Sequence, residues 1–277
     1  MRPLKFHPIL KQTLWGGERI IPYKELASGL SRVGESWELS GMPGSESVVA
    51  EGPWAGSTLS ELIGRFGAEL LGKANYARFG QEFPLLVKFI DAREDLSIQV
   101  HPDDELARKR HGKSGKCEMW YVLEAEPGAS LLTGFSRPIA PAEYERRVAD
   151  NTLTDVLNRQ AIASGDVFYL PAGRVHSIGK GSFIVEIQQS SDITYRIYDF
   201  DRRDAAGNSR ELHTELAREA IDFESSENSR ITYAPENNQE VRLVTTPYFT
   251  TSLYTLTART RCDWSATDSF VAIVLLQ

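Results

Sequence analysis

From about Pro84 to Phe200 the chain is built of short segments: FPLLVKFIDA, DLSIQVHP, CEMWYVLEA, ASLLTGF, SGDVFYLPAG and SFIVEIQQSSDITYRIYDF. Each is rich in β-branched and aromatic residues and bounded by Gly, Pro, Asp or Ser, the pattern of strands rather than helices. One helical interlude, PAEYERRVADNTLTDVLNR, interrupts them. Strand and helix do not alternate, so a parallel doubly wound sheet is not expected. A mainly β chain with a closed or double-sheet antiparallel architecture fits instead.

Other stretches fill in around this array. The first third mixes strand-like runs (PILKQTLWGG, GESWELSG, SESVVAEGPWAG) with one helical pattern, STLSELIGRFGAELLG. There Ser57 or Thr58 can cap the start, and Leu59, Leu62, Ile63, Phe66, Leu70 and Leu71 recur near the helical period. After Asp201 the segment RRDAAGNSRELHTELAREAIDF reads as a polar loop followed by a helix, and β character returns in VRLVTTPYFTTSLYTL and DSFVAIVLLQ. The last run is apolar and strand-like, and is expected to be a strand of an unfinished β domain. The expected organisation is residues 1–83 as strands and a helix packing on the core, 84–222 as the main β domain with a helical insertion at about 140–160, and 223–277 as a smaller, truncated β domain.

Composition limits the function. A net charge of −7 argues against a nucleic-acid partner, which needs clustered Lys and Arg, while leaving room for one small anion. No apolar run approaches bilayer length and no signal peptide is visible, so a cytoplasmic protein without a membrane partner is expected. Its two cysteines, Cys117 and Cys262, are expected to be reduced.

The chemistry gathers in two places. In SIQVHPDD, Gln99 and His101 are two residues apart and share a strand face, presenting an amide oxygen beside an imidazole. In KCEMWY the same period puts Lys116 and Glu118 on one face and Cys117 on the other. In GDVFYLPAGRVH a Pro-Ala-Gly turn aims His176 inward, after which Gly179-Lys180-Gly181 reads as a hairpin loop into a strand placing Glu186 and Gln188 on one face. Taken singly, each residue has an ordinary structural explanation. Together, two nitrogens and two oxygens from three strands match the mixed ligand set of a divalent first-row metal. His7, His111 and His213 read as structural or exposed. GKSGK lacks the upstream Gly and following Ser or Thr of a phosphate loop.

At these residues the sequence resembles a known family. GDVFYLPAGRVH is similar to the second cupin motif, though Lys180 stands where an asparagine often follows the histidine. QVHPDD, K-x-E-x-W-Y and VHSIGKGSFIVEIQQSSDITYRIYDFDR, with LWGG and GESWELS, resemble the short bacterial class I mannose-6-phosphate isomerases from near the start to about residue 220. The resemblance implies a cupin fold (a double-stranded β-helix or jelly roll) with inserted helices and a second, incomplete cupin-like β domain. It implies one divalent metal, expected to be Zn2+, on Gln99, His101, Glu118 and His176. Arg196, Lys116 and Glu186 are the implied catalytic residues, with Glu186 the first choice for the proton shuttle, and Ser97 and Lys88 line the substrate pocket. The expected partner is a small-molecule sugar phosphate, and the expected state a monomer or weak dimer. The alternatives are another metal-dependent cupin enzyme, such as an iron oxygenase or a glucose-6-phosphate isomerase, and a catalytically silent sugar-phosphate-binding cupin.

Overall fold

The computed structural model describes residues 3–204, 206–224 and 228–276. β1 (Ile9–Gly17) leads through a single helical turn, α1 (Ile20–Tyr23), to β2 (Val33–Met42) and β3 (Ser45–Glu46). Three short helices follow, α2 (Leu59–Phe66), α3 (Ala68–Leu71) and α4 (Lys73–Phe79). The central stretch contains β4 (Leu85–Asp91), β5 (Ile98–Val100), α5 (Asp104–His111), β6 (Glu118–Ala125) and β7 (Ser130–Phe135). Then come α6 (Pro141–Ala149), a 3-10 turn (Leu153–Val156), β8 (Leu157–Ala161), β9 (Val167–Leu170), β10 (His176–Ile178), β11 (Ser182–Gln189) and β12 (Tyr195–Tyr198). The chain continues with α7 (Thr214–Ala220), β13 (Arg230–Ile231), β14 (Val241–Thr245) and β15 (Thr250–Leu253).

Among the described residues these strands form an eight-stranded sheet ordered β1-β2-β4-β11-β6-β9-β13, with β3 beside β2, and a five-stranded sheet ordered β12-β5-β10-β7-β8. β14 and β15 pair separately as a hairpin. Of the two architectures the sequence allows, the double sheet is the one found. Both sheets are open and face each other: Ile90, Trp120, Phe168 and Ile184 of the first pack against Leu131 and Ile178 of the second. Helices close the outer faces. Val100 and Ile197 of the smaller sheet lie under Ala107, Tyr144 and Ala217 of α5, α6 and α7. Cys117 and Met119, at the outer face of the larger sheet, pack with Ile63, Leu71, Leu243 and Phe249.

The helix expected after Ser57 breaks in two. Thr58 caps α2 with a reciprocal pair of hydrogen bonds to Glu61, as its sequence suggests. Gly67, at φ +49, then ends α2 and starts α3. The interlude at 141–159 is helical only to Ala149 before its 3-10 turn, because Leu157–Ala161 is taken up by pairing with β7. DSFVAIVLLQ differs from expectation most. Residues 268–276 carry no strand: the Asp268 carboxylate accepts from the Lys73 and Ala74 N–H groups that open α4, and Phe270 packs on Phe83 at 4.8 Å. Extended propensity makes a strand only where a ladder partner is available. Gln277 lies outside the described residues.

A second difference bears on the site. Gly179-Lys180-Gly181 is not a hairpin loop, because β10 belongs to the smaller sheet and β11 to the larger. The segment carries the chain across the sandwich, its Gly179 N–H bonding Ser130 O and its Gly181 N–H bonding Ala92 O. A Cβ on Gly179 would lie 2.1 Å from Ser130 O, so no other residue fits without moving backbone. Gly179→Ala should destabilise the protein by about 1–3 kcal/mol. By contrast Gly64→Ala, exposed on α2 with no atom near its would-be Cβ, should stabilise it by roughly 0.5–1 kcal/mol. Denaturation midpoints of the two variants check this, and equal shifts would contradict it.

Candidate metal centre

Strand register sets the site. In the smaller sheet Arg196, Gln99, His176 and Thr133 stand opposite one another across β12, β5, β10 and β7. Residues paired across antiparallel strands share a face. In the larger sheet Glu186 stands between Lys88 and Trp120, and Gln188 is paired with Glu118. The two inward rows meet where Glu118 reaches the histidines. His176 Nε2 is 3.2 Å from Glu118 Oε1, and His101 Nε2 is 3.5 Å from Glu118 Oε2. β5 ends at Val100, so His101 lies just beyond the strand on which the sequence placed it, yet still reaches the same side.

Each imidazole is oriented from behind. His101 Nδ1 is 2.8 Å from Ile193 O, and His176 Nδ1 is 2.8 Å from Arg174 O. A carbonyl only accepts, so Nδ1 carries the proton and the lone pair of each ring sits on Nε2, toward Glu118. Burial, reinforced by the Lys116 ammonium and the other ring, holds His101 well below the ordinary imidazole range. Burial lowers His176 as well, against the pull of Glu118. Neutral imidazoles with inward lone pairs are what a cation requires.

The donors also lack partners. Among the described residues His101 Nε2 and both Glu118 oxygens are buried without a hydrogen bond, although Lys116 Nζ lies 2.8 Å from Glu118 Oε2 as an ion pair. Ligand atoms from His101, Glu118 and His176 fall within 4.8 Å of one another. Gln99 Nε2 is 3.3 Å from His176 Nε2, and Ser97 donates to Gln99 Oε1 at 3.3 Å. A half-turn of that amide brings its oxygen to the same place. These residues fit a divalent cation by donor type, protonation and unsatisfied valence.

Behind Glu118 lies an ionic chain. Lys116 Nζ is also 3.5 Å from Glu186 Oε1, Lys88 Nζ is 3.1 Å from the same oxygen and 3.4 Å from Glu35 Oε1, and Trp120 Nε1 donates to Glu186 Oε2 at 2.9 Å. Burial opposes ionisation of Glu186, but Lys88 and Lys116 outweigh it and hold the carboxyl down at about 2. For Lys88 burial is likewise opposed and overcome, by Glu186, Glu35 and Glu118, and its pKa is raised. At formal charge, Glu35, Glu118 and Glu186 against Lys88 and Lys116 leave one negative charge unmatched. A buried unmatched charge costs several kcal/mol, so a bound cation is favoured.

The residues singled out in the sequence therefore converge, with Lys88 on β4 of the larger sheet and Ser97 just before β5 of the smaller. Arg196 is half-buried beside Gln99, bonded through Nη1 to Glu211 O. Burial lowers its pKa, and Arg210 is the next cause. Arg210 and Arg202 both pair with Asp199, and Arg202 also lies 3.9 Å from Glu94, while Arg196 makes no ion pair with either carboxylate. Cys117 faces away, its thiol pushed up to about 12 by burial, and both cysteines are free. Sequence reasoning missed Glu35, Trp120, Arg202 and Arg210 as parts of the site, while Gln188, which it put on one face with Glu186, stands opposite Glu118. Glu35 and Trp120 stand inside motifs that were recognised (GESWELS and K-x-E-x-W-Y), and the strand period marks Trp120 as two residues beyond Glu118 on the same face. His111 and His213, set aside as structural, bond Tyr195 OH and the Arg196 N–H respectively.

The chain is similar to known proteins over most of its length. Residues 4–133 match the family model described as phosphomannose isomerase type I, catalytic domain, a range that holds Gln99, His101 and Glu118 but stops short of His176. The probable mannose-6-phosphate isomerase GmuF of Bacillus subtilis (strain 168) is 39% identical over 220 residues, 79% of this chain and 68% of that protein. The mannose-6-phosphate isomerase of Streptococcus mutans is 34% identical over 275 residues, 98% of this chain and 84% of that protein. The crystal structure of the Bacillus subtilis mannose 6-phosphate isomerase superposes with a TM-score of 0.81 at 32% identity, covering 90% of this chain and 79% of that one. Among the described residues no helix is long and apolar enough to cross a membrane. With a relative 34% identical along nearly the whole chain, and the expected site residues gathered between two facing sheets, the chain belongs to the type I phosphomannose isomerase family.

Proposed function

We propose that the protein is a metal-dependent mannose-6-phosphate isomerase, interconverting mannose 6-phosphate and fructose 6-phosphate, with zinc as its metal. The observation that carries this reading is the buried Glu118 carboxylate facing two neutral imidazole lone pairs, with Lys116 and Lys88 at its back. Gln99, His101, Glu118 and His176 would hold the ion, and their mixed nitrogen and oxygen set suits zinc. The bound cation supplies Lewis-acid polarisation of the sugar's oxygens.

The isomerisation moves a proton between C1 and C2 and develops negative charge on oxygen. Lys116 and Arg196 are cations placed to stabilise that charge in a buried setting. Arg196, Arg202 and Arg210 stand against Asp199 and Glu94, which leaves one positive charge over, enough to favour a phosphate at this rim. Lys88, bound to two carboxylates, belongs to the interior chain, and with the Gln99 amide turned so that its oxygen faces the ion, Ser97 Oγ would accept from Gln99 Nε2. Glu186, the residue the sequence suggests as proton shuttle, is held below the ordinary carboxylate range by Lys88 and Lys116, which weakens it as a base while it holds both lysines. In this arrangement it anchors Lys88 and Lys116.

Fructose 6-phosphate formed from mannose 6-phosphate should be detected in a coupled assay, abolished by a chelator and restored by zinc. Binding without turnover would favour the silent alternative, and activity requiring oxygen and iron an oxygenase. Within the site, Glu118→Ala should lose metal and activity together. Lys116→Ala should keep the metal and lose on the order of a hundredfold or more in rate. Cys117→Ser should keep both. Metal content and rate of the three purified variants decide it, and metal lost in Cys117→Ser but kept in Glu118→Ala would overturn the ligand assignment.

A further inference from the structure

β12 is the outer strand of the smaller sheet, so among the described residues one edge of Arg196's backbone has no neighbouring strand. His213 takes that strand's place. Its main-chain N–H donates to Arg196 O at 2.7 Å, and its Nδ1 accepts from the Arg196 N–H at 3.2 Å. One residue thus supplies both halves of a ladder rung, the acceptor half through a side chain. Two residues earlier, Glu211 O accepts from Arg196 Nη1 at 2.8 Å, so the tripeptide Glu211–Leu212–His213 grips both the backbone and the guanidinium of Arg196. Arg196 Nε is buried and has no partner among the described residues, which leaves donor capacity on a head group otherwise held in place.

We propose that His213 is a positioning residue for Arg196, acting through the acceptor lone pair of Nδ1. The proposal rests on Arg196 acting on substrate. What the geometry demands at residue 213 is a side-chain acceptor one ring atom from Cγ. Asn offers one in Oδ1 at the same remove from its backbone; Ala and Phe offer none. Loss of the acceptor leaves the Arg196 N–H unpaired at a partly buried edge and releases the strand that carries the guanidinium. Misplacement of a catalytic group by about 1 Å costs up to roughly a hundredfold in rate.

The test uses the zinc-loaded full chain, with kcat, KM, metal content and thermal midpoint measured for His213→Ala, His213→Asn, Arg196→Ala and the double variant Arg196→Ala/His213→Ala. The expected result is a kcat lowered about tenfold to a hundredfold in His213→Ala, recovery of most of that loss in His213→Asn, and wild-type metal content in both. In the Arg196→Ala background the His213→Ala change should cost nothing further, since residues acting as a unit are not additive. Wild-type kcat in His213→Ala, or an Asn variant as impaired as the Ala variant, overturns the proposal. Full activity in Arg196→Ala would instead sink the catalytic reading of Arg196, and this proposal with it.

Discussion

The centre of this molecule is a carboxylate that has no reason to be buried unless something positive joins it. Glu118 is 1% exposed, its oxygens take no hydrogen bond among the described residues, and a single ammonium group stands beside it. Leaving one charge of a buried cluster unmatched is among the more costly arrangements a fold can hold, and replacing such clusters with apolar residues is often stabilising. Retaining Glu35, Glu118 and Glu186 with Lys88 and Lys116 is therefore a sacrifice of stability for chemistry. Two imidazoles kept neutral by burial, with protons turned outward onto Ile193 O and Arg174 O, complete a pocket prepared for a cation.

The facing sheets explain how these groups meet. Glu118, Lys88 and Glu186 come from strands of the larger sheet; Gln99, His176 and Arg196 come from the smaller one. Neither sheet holds the full set. The chain must cross between sheets close to the site, and it does so at Pro171-Ala172-Gly173, before His176, and at Gly179-Lys180-Gly181, after β10. The glycines in these crossings are fixed by space: a side chain at Gly179 would overlap Ser130 O, and one at Gly173, at φ +85, would sit 3.0 Å from Ala220 O. The LWGG signature has a similar origin, since a Cβ on Gly17 would fall 2.1 Å from the Asp91 carboxylate that binds Arg19.

Much of this was legible in the sequence because strand geometry is periodic. The two-residue period placed Lys116 with Glu118 and Cys117 opposite them, and the distances bear it out. The same period also reaches Trp120, which holds Glu186, but an indole on an apolar strand reads first as core. What sequence could not supply was pairing between distant segments. Gly-Lys-Gly looks like a hairpin wherever it occurs, and only the sheet to which each flanking strand belongs shows that it is a crossing. DSFVAIVLLQ has the composition of a strand, but its first residue caps α4 and the backbone of its described residues, 268–276, follows no ladder. His213 escaped notice for the same reason: its partner, Arg196, is seventeen residues away and is met through a backbone edge.

In the proposed metal centre Glu118, His101 and His176 join in holding one cation between the sheets. X-ray absorption at the zinc edge of the metal-loaded protein should then show one ion with a low-atomic-number first shell, the multiple-scattering signature of two imidazoles, and no sulfur. A sulfur ligand, or a spectrum without imidazole, would contradict it.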